Sequence, residues 1–268
     1  SDGNGLYATK DILLARRKFD EFGIQKSIYV VDKRQAFHFK QVFKVLERLG
    51  FEQAKDCYHL EYDYVELPDG AMSSRKGNII PLMDLIQNME ETIKENYLSR
   101  SDEITDENRD SIARVIANGA VKYGMLKYDN NKKIVFEMDE WLKVEGETGP
   151  YIQYAATRIN SILRRVTDSQ TVEGDFAKLK TPQEQALLLK LTGFNEAVAG
   201  ACRQYKATHV CTYLFELSKV FNSFYTECRI ADEEDSELRA ARIQLTTAVY
   251  QTLKKGLELL GIQVPERM

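Results

Sequence analysis

Apolar residues along this chain fall into two textures. Up to about Ser99, short β-branched or aromatic runs alternate with longer stretches at helical spacing, the pattern of a parallel sheet covered by helices. Leu6-Tyr7-Ala8 reads as a first short strand, and Ile12, Leu13, Phe19 and Phe22 predict a helix that Gly23 is placed to end. The run from Ser27 to Val31 reads as a buried strand. Phe39, Val42, Phe43, Leu46 and Leu49 recur every three or four residues before Gly50, predicting a second helix of that sheet. Leu60, Tyr62 and Tyr64 alternate as in a strand, Asp69-Gly70 turns the chain, and Leu82, Leu85, Ile86, Met89 and Ile93 line one face of a further helix.

Past Ser99 a charged stretch from Ser101 to Glu107 leads into Ile112, Val115, Ile116, Ala120 and Tyr123 at helical spacing. Pro150 suits the first turn of a helix whose apolar positions are Ile152, Ala155, Ile159, Ile162, Leu163 and Val166. Two or three more amphipathic helices are predicted to close the chain. Val210, Leu214, Leu217, Phe221, Phe224 and Cys228 step by four and three, and Leu245, Val249, Leu253, Leu257 and Leu260 supply a facing stripe. These rows read as the core of a helical bundle. The texture divides the chain into an α/β part over residues 1–100, a helical connector over 101–146 and an all-α domain over 147–268.

At 268 residues with 43% hydrophobic content, the chain is long enough to bury two cores. A net charge of −4 argues against coating nucleic acid through bulk positive charge, so any RNA contact must be local and shaped. No apolar run approaches the ~20 residues of a membrane span, and no charged-then-apolar leader opens the chain, which points to the cytoplasm. Cys57, Cys202, Cys211 and Cys228 lack Cys-x-x-Cys spacing, and only His38, His59 and His209 could complete a metal site, so the thiols read as reduced and mostly buried. The start at Ser1, without Met and directly on a predicted strand, suggests a fragment.

Four places could carry chemistry. Met72-Ser73-Ser74-Arg75-Lys76-Gly77 puts two hydroxyls and two cations in one turn, fit either to hold phosphate or to be a solvated strand-to-helix loop. Asp11 lies at a strand-to-helix junction, where open α/β sheets place ligands; it is either an acceptor for a guanidinium or an acid favoured by the helix dipole. His38, between Phe37 and Phe39, is a site histidine or a packing residue. Tyr151, Tyr154 and Arg158 share one helix face, which could stack unpaired bases and hold phosphate or could simply edge the core.

Four stretches carry a resemblance that spans nearly the whole chain. Leu6-Tyr7-Ala8-Thr9-Lys10-Asp11, Met72-Ser73-Ser74-Arg75-Lys76-Gly77-Asn78, Glu147-Thr148-Gly149-Pro150-Tyr151-Ile152-Gln153-Tyr154-Ala155 and Pro265-Glu266-Arg267-Met268 resemble arginyl-tRNA synthetases, of class I, in that family's order. Ala71 and Ser74 stand where the general class I signature has lysines, and Asp32-Lys33-Arg34-Gln35 departs from the usual family run. The resemblance implies part of a Rossmann-like catalytic domain followed by an α-helical anticodon-binding domain. It implies ATP-dependent activation of arginine with Mg2+ and transfer to tRNA(Arg), by a protein expected to be monomeric. Tyr7, Asp11 and Gln35 match positions that contact arginine; His38, Met72, Ser73, Ser74, Arg75 and Lys76 match the ATP site, with Arg75 and Lys76 as its catalytic cations. Tyr151, Tyr154, Arg158, Tyr225 and Met268 match the anticodon surface. The family's first signature, His-x-Gly-His, is not in this sequence, so the chain is expected to hold one half of the catalytic site and to be inactive alone. The rival expectations are a noncatalytic tRNA-binding descendant and a class I synthetase for another amino acid; the sequences around Pro150 and at the terminus weigh against the latter.

Overall fold

In a computed structural model, which describes residues 5–68, 80–99, 104–166 and 173–268, Leu6 is extended and Tyr7 already opens helix α1 (Tyr7–Phe22). The predicted strand Leu6-Tyr7-Ala8 is therefore the entry to a helix. The Lys10 N–H bonds the Leu6 carbonyl at 3.2 Å and starts the helical ladder, and three apolar residues are too few for periodicity to distinguish strand from helix. Gly23 ends α1 in the left-handed region, at φ 58°, where its missing Cβ removes the steric penalty. The buried stripe is Ala15 and Phe19, with Ile12 beside them, while Leu13 and Phe22 face outward.

The chain packs as two units, Ser1–Glu66 with Asn130–Val135, and Leu67–Asp129 with Phe136–Met268. In the first, strands β1 (Ser27–Asp32) and β2 (Cys57–Tyr62) flank helix α2 (Ala36–Arg48) and pair in parallel, Ser27 opposite Cys57 through Asp32 opposite Tyr62. The βαβ expectation holds, but β1 is not buried on both faces. Tyr29 packs on Phe39 and Phe43, at 5.1 and 5.4 Å between ring centroids, whereas Ile28 and Val30 point from the other face and are exposed. The helices of this unit cover one face of the pleat only. Tyr64 falls outside β2 because Asp63 turns inward, its carboxylate taken by Lys33 and its N–H bonded to Asn130 at 2.9 Å. A two-residue parallel pair follows, β3 (Val65–Glu66) on β4 (Ile134–Val135). The Asp69-Gly70 turn, the loop at 71–78 and the start of the charged stretch at 101 lie outside the described residues.

The second unit is helical: α3 (Leu82–Ile93), continued by a π turn at Lys94–Leu98, α4 (Asp106–Leu126), α5 (Met138–Leu142), α6 (Gly149–Val166), α7 (Pro182–Thr192), α8 (Phe194–Gln204), α9 (Thr208–Glu227) and α10 (Ser236–Leu259). Helix α3 packs on α4 through buried Met89 and Ile93 and an ion pair between Glu90 and Arg114 at 3.1 Å. The packing units thus do not follow the change of texture near Ser99. Among the described residues four helices follow α6 where two or three were expected. Helix α7 carries a capping box, with Thr181 and Glu184 bonding each other's backbone N–H and Pro182 in the first turn; Gly193 separates it from α8.

The predicted stripes of α9 and α10 meet in the core: Leu214, Leu217, Phe221, Phe224, Val249, Leu253 and Leu257 are fully buried, together with Ile152 and Ile159 of α6. Each such side chain stabilises the fold by roughly 1.5–3 kcal/mol relative to exposure. Close approach of α4 and α6 requires glycine at 149, since a Cβ there would lie 2.4 Å from the Gly119 carbonyl oxygen. A buried ion pair crosses the bundle: the Arg242 Nε donates to Glu184 at 2.7 Å, and Arg242 also reaches Glu233 at 2.6 Å and the Arg229 carbonyl at 2.8 Å.

Candidate functional site

In the first unit, α1 runs back from its Gly23 turn, so its first turns stand at the carboxyl end of β1, where α2 begins. That is where open parallel sheets place ligands. Tyr7 and Asp11 lie four residues apart on α1; Gln35 immediately precedes α2, and His38 is three residues further. The structure joins Asp11 to His38: the imidazole Nε2 lies 2.6 Å from Asp11 Oδ2, with the two side chains 32% and 27% exposed. Tyr7 is 85% exposed and Gln35 also faces solvent.

The charged run before Gln35 is absorbed locally. Arg34 grips Asp32 through its backbone N–H, Nε and Nη2, each at 2.8 Å, and these bonds hold the Asp32 carboxyl below the usual carboxylate range. Lys33 pairs with Asp63 and lowers that carboxyl likewise. Asp63 was not singled out in the sequence; an acid directly after an apolar strand is its only signal. Met72, Ser73, Ser74, Arg75 and Lys76 lie outside the described residues.

On α6 of the second unit the three expected side chains have different surroundings. Tyr151 is half-buried, edge-on to Phe215 with centroids 5.7 Å apart; its hydroxyl accepts from Asn222 Nδ2 at 2.9 Å, and burial raises its phenol above the ordinary value. The Arg158 guanidinium lies 4.5 Å from the centroid of the Tyr225 ring, which is stacked in turn on Phe221. Tyr154 is 39% exposed. Met268 is half-buried at the end of a tail that α6 holds down. Gln153 Nε2 donates to the Gln263 carbonyl at 2.8 Å and to the Val115 carbonyl at 3.1 Å, and Thr157 Oγ1 donates to the Pro265 carbonyl at 3.1 Å. Gln153 and Thr157 were missed, although two polar residues four apart inside an apolar stripe signal a buried polar contact.

All four cysteines are free, with Cys57, Cys211 and Cys228 buried and Cys202 exposed. Burial pushes the Cys211 thiol up to about 12, which leaves it un-ionised and inert at neutral pH. Among the described residues no group of three His, Cys, Asp or Glu is placed to hold a metal ion, and no helix is long and apolar enough to cross a membrane.

Two family models match this arrangement of a parallel sheet followed by a helical bundle. The family described as tRNA synthetases class I (R), catalytic domain, matches residues 1–138, and the DALR anticodon binding domain matches residues 152–268. Fold and matches together are those of a class I tRNA synthetase. An arginine–tRNA ligase of Bdellovibrio bacteriovorus is 55% identical over 269 residues, covering 100% of this chain and 46% of that relative. One from Clostridium beijerinckii is 40% identical, covering 100% of this chain and 47% of its own length. The structure of Thermus thermophilus arginyl-tRNA synthetase superposes with a TM-score of 0.86 at 28% identity, over 100% of this chain and 50% of that one. The chain belongs to the arginyl-tRNA synthetase family, and it spans about half the length of the curated relatives it matches.

Proposed function

We propose that this chain serves as the carboxy-terminal portion of an arginine–tRNA ligase that activates arginine with ATP and transfers it to tRNA(Arg). The observation that carries the reading is the 55% identity to such a ligase over the whole chain. In this reading residues 1–100 complete the catalytic domain, 101–146 connect, and 147–268 bind the anticodon. Tyr7, Asp11 and Gln35 receive arginine, because a guanidinium needs a carboxylate and Asp11 stands at the carboxyl end of parallel strands. His38 and the loop residues Met72, Ser73, Ser74, Arg75 and Lys76 face ATP. Arg75 and Lys76 stabilise the charge that accumulates as pyrophosphate leaves. Mg2+ accompanies ATP, held chiefly by the nucleotide's phosphates and water. Tyr154 and the Arg158–Tyr225 plate offer π faces to unpaired bases, with Tyr151 and Met268 at the edge of that surface. We place the protein in the cytoplasm, as a monomer.

The reading is tested by ATP–pyrophosphate exchange with arginine and tRNA(Arg). The chain alone binds tRNA but is expected to show no exchange, since the His-x-Gly-His signature is not in it. Joined to the amino-terminal portion of the Bdellovibrio relative, it is expected to regain exchange. Exchange by the chain alone, clearly above a protein-free blank, overturns the half-site reading; failure to bind tRNA overturns the assignment of the helical domain.

A further inference from the structure

The contact between Asp11 and His38 joins two residues that the family reading gives to different ligands, arginine and ATP. The imidazole occupies Oδ2 at 2.6 Å, and among the described residues no hydrogen bond reaches Oδ1. An Asp side chain on an exposed helix turn rotates freely about two torsions; one oxygen pinned from a neighbouring helix removes that freedom and leaves the other oxygen in a fixed direction.

His38 is itself braced. Its ring stands edge-on to buried Phe39, with centroids 5.3 Å apart. Phe39 is stacked on His59 at 4.8 Å and 28°, and His59 Nε2 donates to the Val31 carbonyl at 3.0 Å. A row of three rings therefore runs from the β1 backbone to the Asp11 carboxylate. A histidine serving only to fill space would not need its Nε2 aimed at a carboxylate; here the packing holds the ring and the polar atom does the orienting.

We propose that His38 is a positioning residue of the arginine site: it holds Asp11 Oδ2 so that Oδ1 is presented to the substrate guanidinium. The inference rests on the reading of Asp11 as the arginine acceptor and adds to it the residue that sets the acceptor's direction. The ligand class follows from the chemistry, since a fixed carboxylate oxygen selects a cationic N–H donor over a neutral one of the same shape.

The test uses the 268-residue chain, isotopically labelled, titrated with L-arginine and with the uncharged, nearly isosteric L-citrulline, and followed by NMR at the Asp11 amide and the His38 ring. Arginine is expected to shift both signals saturably and citrulline neither. His38→Ala is expected to weaken arginine binding on the order of tenfold, the worth of one hydrogen bond to a charged group, and to narrow the preference over citrulline. His38→Gln, whose amide N–H can reach the same oxygen, is expected to recover most of the loss. An unchanged amide spectrum elsewhere in α1 and α2 shows that either variant is folded. If arginine shifts the Asp11 amide with the same affinity in wild type and His38→Ala, the positioning role is overturned while Asp11 remains the acceptor. If arginine shifts neither signal, both the positioning role and the arginine site at Asp11 fall.

Discussion

The two packing units solve the problem of apolar surface in opposite ways. In the helical unit Leu217, Phe221, Leu253 and Leu257 lose all contact with water, and even the charge pair of Glu184 with Arg242 is buried. In the α/β unit the sheet is covered on one side only, and on the other Val30 is 63% exposed, with Ile28 and Tyr58 beside it. Its polar pairs each keep at least one partner in contact with water instead: Arg34 on Asp32, Lys33 on Asp63, His38 on Asp11. The helical unit therefore carries most of the chain's own stability, and the α/β unit carries Asp11 and His38 on a thinner scaffold.

The sharpest way to break this contrast is to open the helical core. Phe221→Ala removes a ring that touches Phe224 and Tyr225, and is expected to cost about 3–5 kcal/mol. Urea unfolding followed by helical circular dichroism reads it. A loss below about 1 kcal/mol would mean that the α9–α10 core is not where the stability resides.

The buried charge pair comes next. Glu184→Gln replaces the more deeply buried of the two carboxylates on Arg242 by a neutral amide and is expected to cost about 3 kcal/mol. The wild-type carboxyl has a definite pH signature. Burial pushes its pKa upward, but the Thr181 backbone N–H and the Arg242 guanidinium outweigh burial, and the net folded value lies below the usual glutamate range. A depressed folded pKa means that its stabilisation is fully present above the unfolded value, roughly 4.3, and is lost as pH falls through the folded value. The acid limb of stability against pH should therefore be shallower in Glu184→Gln. An identical limb in both proteins would assign the acid sensitivity to other carboxylates.

The same contrast separates what was legible in the sequence from what was not. The rows Val210 to Cys228 and Leu245 to Leu260 repeat over many turns, and period is a property of sequence, so α9 and α10 were plain. Helix α8 is short and alanine-rich around Ala197, Ala199 and Ala201, with its start set by Gly193, and offers little period to read. Leu6-Tyr7-Ala8 failed for the same reason. At the candidate site Asp11 and His38 were each named, by resemblance to a family, but the bond between them crosses 27 residues and two helices. Lys33 with Asp63, and Gln153 with the terminal tail, are pairings of the same kind. No local spacing encodes them, because they exist only once the elements have packed.

A smaller effect tests whether the helical unit's exposed residues are as free for binding as its core is fixed. Tyr154→Ala should leave unfolding nearly unchanged and weaken tRNA(Arg) binding by about 1–3 kcal/mol, the worth of one stacked base. Titration of cognate and anticodon-altered tRNA at moderate salt distinguishes stacking from charge attraction. The variant should lose discrimination along with affinity. Equal binding of both tRNAs by wild type and variant removes Tyr154 from the RNA surface.

The smallest expected effect bears most directly on the contrast, because it applies one chemical change to both units. Val249, in the helical core, and Val30, on the open face of β1, differ in burial and not in kind. Val249→Ala deletes two methyl groups from a packed interior and should cost roughly 2 kcal/mol, transfer and cavity together. Val30→Ala deletes the same groups from a face already in water, and only the modest strand preference of a β-branched residue is lost, so about 0.5 kcal/mol is expected. Thermal unfolding of the two variants at several protein concentrations makes the comparison. If Val30→Ala costs as much as Val249→Ala and its cost grows with concentration, a second copy covers that face in solution, and the α/β unit is not the open scaffold described above. If the cost is small and independent of concentration, the face is free, and the difference between the two valines measures how much less the α/β unit gains from its own burial.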